Sequence, residues 1–317
     1  MAFFNDGRRV VTGSRDTILR IWNVQKGTLL GELSQGHQGR AVAVSPDDGR
    51  VASGGQDGTI MIWDVESKQI VFKLVKHTDD VKCVCFSPDG KRLASGSSDR
   101  TAVIWDTKAG TVLTTLAVEG LPNMVMSVAF SPEGLKLALA TSGGIIRVYR
   151  TDNAKLLLKF KAHEELIRGI VWSPDGQQLI SASWDKTVKF WSSSTGRQIG
   201  QPCTGHTDWI RSLAIASDGS FIATASKDTT IRLWSTKTYQ QIESLECSDT
   251  VRCVAISTNG ALLASGAWDG NLSLWSIGNT LQWQDGKEGY KEELEVEQQL
   301  RIVSLQFRLL FHHISRR

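Results

Sequence analysis

Residues Leu93 to Asp106 read LASGSSDRTAVIWD: a short apolar run, a turn of small residues ending in Asp99, a second apolar run, then Trp105 and Asp106. The pattern recurs with its tryptophan at Trp22, Trp63, Trp105, Trp191, Trp234 and Trp275, and Tyr149 fills the one gap. Successive spacings of 41, 42, 44, 42, 43 and 41 residues define seven units that cover most of the chain.

Within the third unit, Val81 to Phe86 alternates as an innermost strand, and Ser87-Pro88-Asp89-Gly90 turns the chain. Proline presets one φ there and glycine accepts a positive one. Lys91 to Ser95, Thr101 to Trp105 and Thr111 to Leu116 read as the second, third and outer strands. The inner turn returns as SPDD at Ser45, SPEG at Ser131, SPDG at Ser173, ASDG at Ala216 and STNG at Ser257. Repetition at ~40–45 residues ending in Trp-Asp is the mark of propeller blades. On these motifs, from about Phe3 to Trp283, the chain resembles the WD-repeat (WD40) β-propeller family. The expected fold is all-β, a seven-bladed propeller of four-stranded antiparallel blades over residues 1–283, followed by a tail over 284–317.

The first unit starts at its inner strand, Phe3 matching Phe86 and Asp6 matching Asp89, as an N-terminally shortened chain would. The seventh blade must then take its outer strand from downstream, around Asn279 to Trp283. From Glu295 the apolar residues Val296, Leu300, Val303, Phe307, Leu310 and Ile314 recur by fours and threes, which predicts an amphipathic helix. Its acidic start and basic end suit the helix dipole. Such a helix either packs on the propeller or binds a partner.

A formal net charge of +3 over 317 residues favours no partner class by itself. Five cysteines, Cys83, Cys85, Cys203, Cys247 and Cys253, scattered and without a CxxC pair, fit a reducing compartment, and Cys83 and Cys253, at equivalent positions in two repeats, read as small strand fillers. With no signal-peptide pattern and no apolar run near the ~20 residues that span a bilayer, a cytoplasmic or nuclear location is expected.

Several units carry histidine, serine or threonine, aspartate and tryptophan at fixed offsets: His37, Ser53, Asp57, Trp63; His77, Ser95, Asp99, Trp105; His163, Ser181, Asp185, Trp191; and His206, Thr224, Asp228, Trp234. One set alone could pass for a hydrolase triad. Four copies argue for a packing device in which a buried imidazole joins a carboxylate to a hydroxyl that an indole also reaches. The resemblance implies that each network ties the loop entering a blade to its second and third strands. In the fourth unit the positions are Leu121, Leu139, Gly143 and Tyr149, so the set is lost together. The seventh keeps Ser265, Asp269 and Trp275 with Cys247 for the histidine, and the first keeps Thr12, Asp16 and Trp22. Blade four and the join of blades one and seven should therefore be softest. There is no GxxxxGK[ST] and no HExxH; no catalytic residue, cofactor or metal is assigned, and no enzyme is expected.

The resemblance places partner binding on the narrower face. It is lined by the residue before the turn aspartate and by those three and five after the histidine. The first kind is Arg15, Gln56, Ser98, Ser142, Trp184, Lys227 and Trp268. The second gives Asp80, Lys82, Leu166, Arg168, Trp209 and Arg211, and by alignment Arg40, Met124, Met126, Thr250 and Arg252. Trp184, Trp209 and Trp268, interleaved with Arg168, Arg211, Arg252 and Lys227, form a candidate hot spot on blades five to seven. Indoles among guanidinia suit a protein or peptide ligand, acidic or phosphorylated ones included. Nucleic acid is the weaker fit without a basic tract. The reading is a non-catalytic interaction scaffold. Its alternatives are a substrate-recognition subunit of a ubiquitin ligase, or a subunit of an RNA-processing or chromatin complex.

Overall fold

The computed structural model describes residues 1–14, 16–34, 36, 38–120 and 123–277, and the backbone of 307–308. Seven four-stranded antiparallel sheets follow one another along the chain, each with its strands in sequence order. Blade three is Val81–Phe86, Arg92–Ser97, Thr101–Asp106 and Val112–Ala117, close to the expected strands. Inner strands touch their neighbours in turn, and Ala2–Phe3 of blade one meets Val251–Ile256 of blade seven, which closes the ring around an axis.

Seven apolar clusters sit one at each blade junction, so the core lies between sheets rather than within them. Between blades two and three, Ile60, Ile62 and Leu74 meet Val81, Leu93 and Trp105. Each repeat tryptophan packs against the preceding blade: Trp63 beside Leu19 and Ile21, Trp191 beside Ile146 and Val148, Trp275 beside Leu233 and Leu245. A flat indole can fill the wedge between two twisted sheets and still leave its N–H at a polar partner. Among the described residues the cluster joining blade seven to blade one has five buried members, Val10, Val24, Ala264, Leu272 and Leu274, with Trp22 partly covered. The turns between first and second strands also link there: Thr258 donates to the Asn5 carbonyl at 2.9 Å, and the Asn5 amide donates to Asp48 at 2.7 Å.

Two tail expectations meet a different finding. Phe307–Arg308, inside the stretch expected to be helical, is a strand paired antiparallel to Asn271–Ser276 of blade seven. Its register sets Phe307 opposite Leu272, the position held by Leu33, Leu74, Leu116, Phe160, Cys203 and Leu245 in the other blades. The outer strand described for blade seven is thus Phe307–Arg308, and the expected stretch Asn279 to Trp283 lies outside the described residues. The rest of the predicted tail helix lies outside them too. Among the described residues no helix is long and apolar enough to cross a membrane.

Candidate functional site

In blade five Trp191 Nε1 donates to Ser181 Oγ at 2.8 Å, Ser181 Oγ lies 2.7 Å from His163 Nε2, and His163 Nδ1 lies 2.7 Å from Asp185. Because the indole can only donate, the serine accepts from it and donates to Nε2, so Nδ1 carries the imidazole proton to Asp185. Burial pushes the Asp185 carboxyl up, yet the His163 hydrogen bond and charge outweigh it and hold the pKa at about 2. Burial also holds His163 below its ordinary value, against the pull of Asp185. Blade three repeats the chain through His77, Ser95, Asp99 and Trp105, and blade six through His206, Thr224, Asp228 and Trp234. All three imidazoles are enclosed, which leaves no room for a substrate at the hydroxyl.

The aspartate does a second task. Its other oxygen accepts from the hydroxyl and amide of the residue two further on, as Asp99 does from Thr101 at 2.7 and 2.8 Å. This holds the intervening residue in the left-handed region even where it is not glycine, as at Arg100 (φ 68°), Lys186 (71°) and Thr229 (67°).

Elsewhere the sets differ from expectation. In blade two His37 lies outside the described residues, and the Ser53 hydroxyl and Trp63 indole N–H are buried without a hydrogen bond, so the expected serine–tryptophan link is absent. Asp57 keeps its turn role, accepting from Thr59. Blades one and seven keep only the indole link, Trp22 to Thr12 and Trp275 to Ser265, both 2.9 Å. In blade seven Ser248 reaches Asp269 at 2.9 Å, and an open cavity of about 400 Å³ lies beside Cys247 and Trp275. Blade four has a substitute that the motif comparison missed: Arg147, opposite Leu139, is buried and donates to the Glu119 carbonyl. Arginine alone at that position was no signal, since Arg20 and Arg232 hold it in blades one and six. Leu121 lies outside the described residues.

The two classes of face position turn out to be backbone partners. Each residue before the turn aspartate donates its N–H to the carbonyl of the residue three past the histidine position. The pairs are Ser98 to Asp80, Ser142 to Met124, Trp184 to Leu166, Lys227 to Trp209 and Trp268 to Thr250, all at 2.9 Å, with Gln56 to Gln38 at 3.2 Å two places nearer the histidine position. Turn and entering loop are thus stitched together at one end of blades two to seven; Arg15 of blade one lies outside the described residues.

On blades five and six this stitching brings Trp184 and Trp209 face to face, centroids 4.2 Å apart and planes within 4°. Trp209 is 37% exposed, whereas Trp184 is half-buried beneath it with its N–H unpartnered. Lys227 Nζ lies 4.8 Å and Arg211 Cζ 5.9 Å from the Trp209 centroid, and Lys227 also pairs with Asp208 at 3.1 Å. On blade seven Arg252 sits 4.4 Å over Trp268, which is 56% exposed. Of the three indoles of the expected hot spot, Trp184 and Trp209 share one stack, and Trp268 lies under Arg252. Among the described residues no ring contact joins Arg168 to these indoles, and its guanidinium is largely covered. Burial there, with Arg211 and Arg40 near by, holds its pKa below the ordinary arginine value.

Seven radial sheets, a loop-built face at one end and sealed polar networks define a repeat-built β-propeller whose accessible chemistry lies on its faces. The residues 1–23, 27–64, 68–106, 154–192, 197–235 and 239–276 each match the family described as WD domain, G-beta repeat. The chain belongs to the WD-repeat (WD40) family. The gap in that match between Asp106 and Ala154 holds the first three strands of blade four, the blade without a tetrad.

Among curated relatives, Denticleless protein homolog A of Xenopus laevis is 42% identical over 74 residues, which are 22% of this chain and 10% of that protein. WD repeat-containing protein 1 of Gallus gallus is 43% identical over 70 residues, 21% of this chain and 12% of that one. WD repeat and SOCS box-containing protein 1 of Xenopus tropicalis is 35% identical over 78 residues, 24% and 18% of the two. The matched stretches span between a tenth and a fifth of these relatives' lengths.

Proposed function

We propose that the chain is a non-catalytic scaffold that binds a protein or peptide partner on the face carrying Trp184, Trp209 and Trp268. The observation that carries this reading is the Trp184–Trp209 stack with cations at its rim. A preformed aromatic platform loses little side-chain entropy when it is covered, and tryptophan and arginine dominate binding energy at protein interfaces. Large exposed indoles on a soluble surface usually mark such an interface. The tetrads, being sealed, support no competing hydrolase reading.

The test compares proteins retained from cell extract by the wild type and by Trp184→Ala/Trp209→Ala/Trp268→Ala, after thermal melts show that both fold. Partners held by the wild type and lost from the variant are expected. An unchanged partner set would move the interface elsewhere on the molecule.

A further inference from the structure

Blade seven lacks more than its histidine. The loop entering it supplies Cys247 and Ser248 in place of an imidazole. On its third strand Ser273 stands opposite Ser265, where the other blades place Arg20, Met61, Val103, Arg147, Lys189 or Arg232. The two losses fall on the cavity of about 400 Å³, which Glu243 to Glu246 of blade six also line. That volume lies within the roughly 300–1,000 Å³ of small-molecule sites.

The walls hold unmatched polar groups. Ser265, only 3% exposed, accepts from Trp275 as Ser181 does from Trp191, but its own proton meets no acceptor among the described residues. In blade five that proton goes to His163 Nε2. Ser248 Oγ donates to Asp269 at 2.9 Å, the bond that the imidazole Nδ1 makes in the complete tetrads, and it can still accept from the cavity. Glu243 Oε2 is buried without a hydrogen bond. Glu243 and Glu246 are the charged groups of the lining, which holds no lysine, arginine or histidine. Burial pushes the Cys247 thiol up to about 12, so it stays protonated and adds no charge. A desolvated carboxylate without a partner is costly, and a bound cation offsets that cost.

We propose that this cavity binds a small imidazolyl-alkylamine, with its ring between Ser265 and Ser248 beside the Trp275 indole and its protonated amine at Glu243. The complete tetrads set the ring's size and partners. In blades three, five and six an imidazole lies 2.7–2.8 Å from the hydroxyl, its centroid 6.0–6.5 Å from that of the indole. The ligand ring takes the same role: its bare nitrogen accepts from Ser265, and its N–H donates to Ser248, which passes the bond on to Asp269. A carboxylate on the ligand would face Glu243 and Glu246, so free histidine is excluded where its amine is not. None of Trp184, Trp209 and Trp268 lines the cavity, and the proposal stands whether or not their face binds a partner.

Ligand-observed NMR titration of the full chain with histamine, imidazole, histidine and propylamine tests this. Histamine should bind with a Kd on the order of 1 mM or tighter, as a fragment of about eight non-hydrogen atoms can. It should bind at least about tenfold more tightly than each of the other three. Glu243→Gln should remove the preference over imidazole and leave imidazole binding unchanged, whereas Ser265→Ala should weaken both ring ligands. Ser273→Met, which places in blade seven the residue blade two carries there, should fill the cavity and abolish binding while melting no lower than wild type. That variant keeps the test decisive if Ser265→Ala fails to fold. No saturable histamine binding by the wild type at concentrations up to about 10 mM would overturn the proposal. So would binding that Ser273→Met leaves unchanged, or equal affinity for histamine and any of the other three probes.

Discussion

At the scale of single residues, the cost of a substitution follows the hydrogen bonds made and not the motif letter. Ser181 accepts from Trp191 and donates to His163, so Ser181→Ala leaves two buried groups unmatched and should cost on the order of 3 kcal/mol. Ser53 occupies the same motif position but makes no hydrogen bond, so Ser53→Ala should change stability by less than about 1 kcal/mol. Urea denaturation midpoints of the two variants decide this, and equal losses would contradict it.

The same network sets a pH dependence. His163 has a folded pKa below its ordinary 6.5, so the native state binds fewer protons than the unfolded one, and stability present above about pH 6.5 falls as pH drops below it. Asp185, held at about 2 against an ordinary 3.8, adds a second loss between those values. Melting temperature should therefore decline from pH 7 toward pH 4. In His163→Gln the step near pH 6 should shrink.

At the scale of blades, the irregular repeats should open first. Blade four replaces the tetrad with Arg147, whose Nη1 is buried without a partner, and the nearby Asn123 Oδ1 is unmatched as well. Amides of Lys136–Thr141 should exchange with deuterium faster than those of the equivalent Gln178–Ser183 in blade five; slower exchange would show that the arginine replaces the network fully. The strands, turns and blade count were legible in the sequence because each repeat carries the same period-two pattern and the same turn residues. The Arg147 substitute was not, because it comes from a different strand position than the residues it replaces. The strand at Phe307–Arg308 was not legible either, for a related reason. A helical spacing and a strand both accommodate Val303 and Phe307, and only pairing with Leu272 shows which applies at Phe307.

At the scale of the whole molecule, the fold works as a frame that presents loops. The tetrads and the inter-blade tryptophans consume the sequence's conspicuous residues, which is why a chain dense in Ser/His/Asp sets offers no open catalytic centre among its described tetrads. The face positions were legible from the repeat offsets, but their grouping was not. Trp184 and Trp209 are 25 residues apart and meet only because adjacent blades bring a turn and an entering loop together.

The central claim is that partner binding uses the end of the propeller where Trp184, Trp209 and Trp268 lie. Hydrogen–deuterium exchange of the chain alone and with a partner retained from extract tests it most directly. Added protection should fall on the turns at Trp184, Lys227 and Trp268 and on the entering loops at Leu166, Trp209 and Thr250. Protection confined to the opposite end, at the turns around Pro46, Pro88 and Pro174, would contradict it.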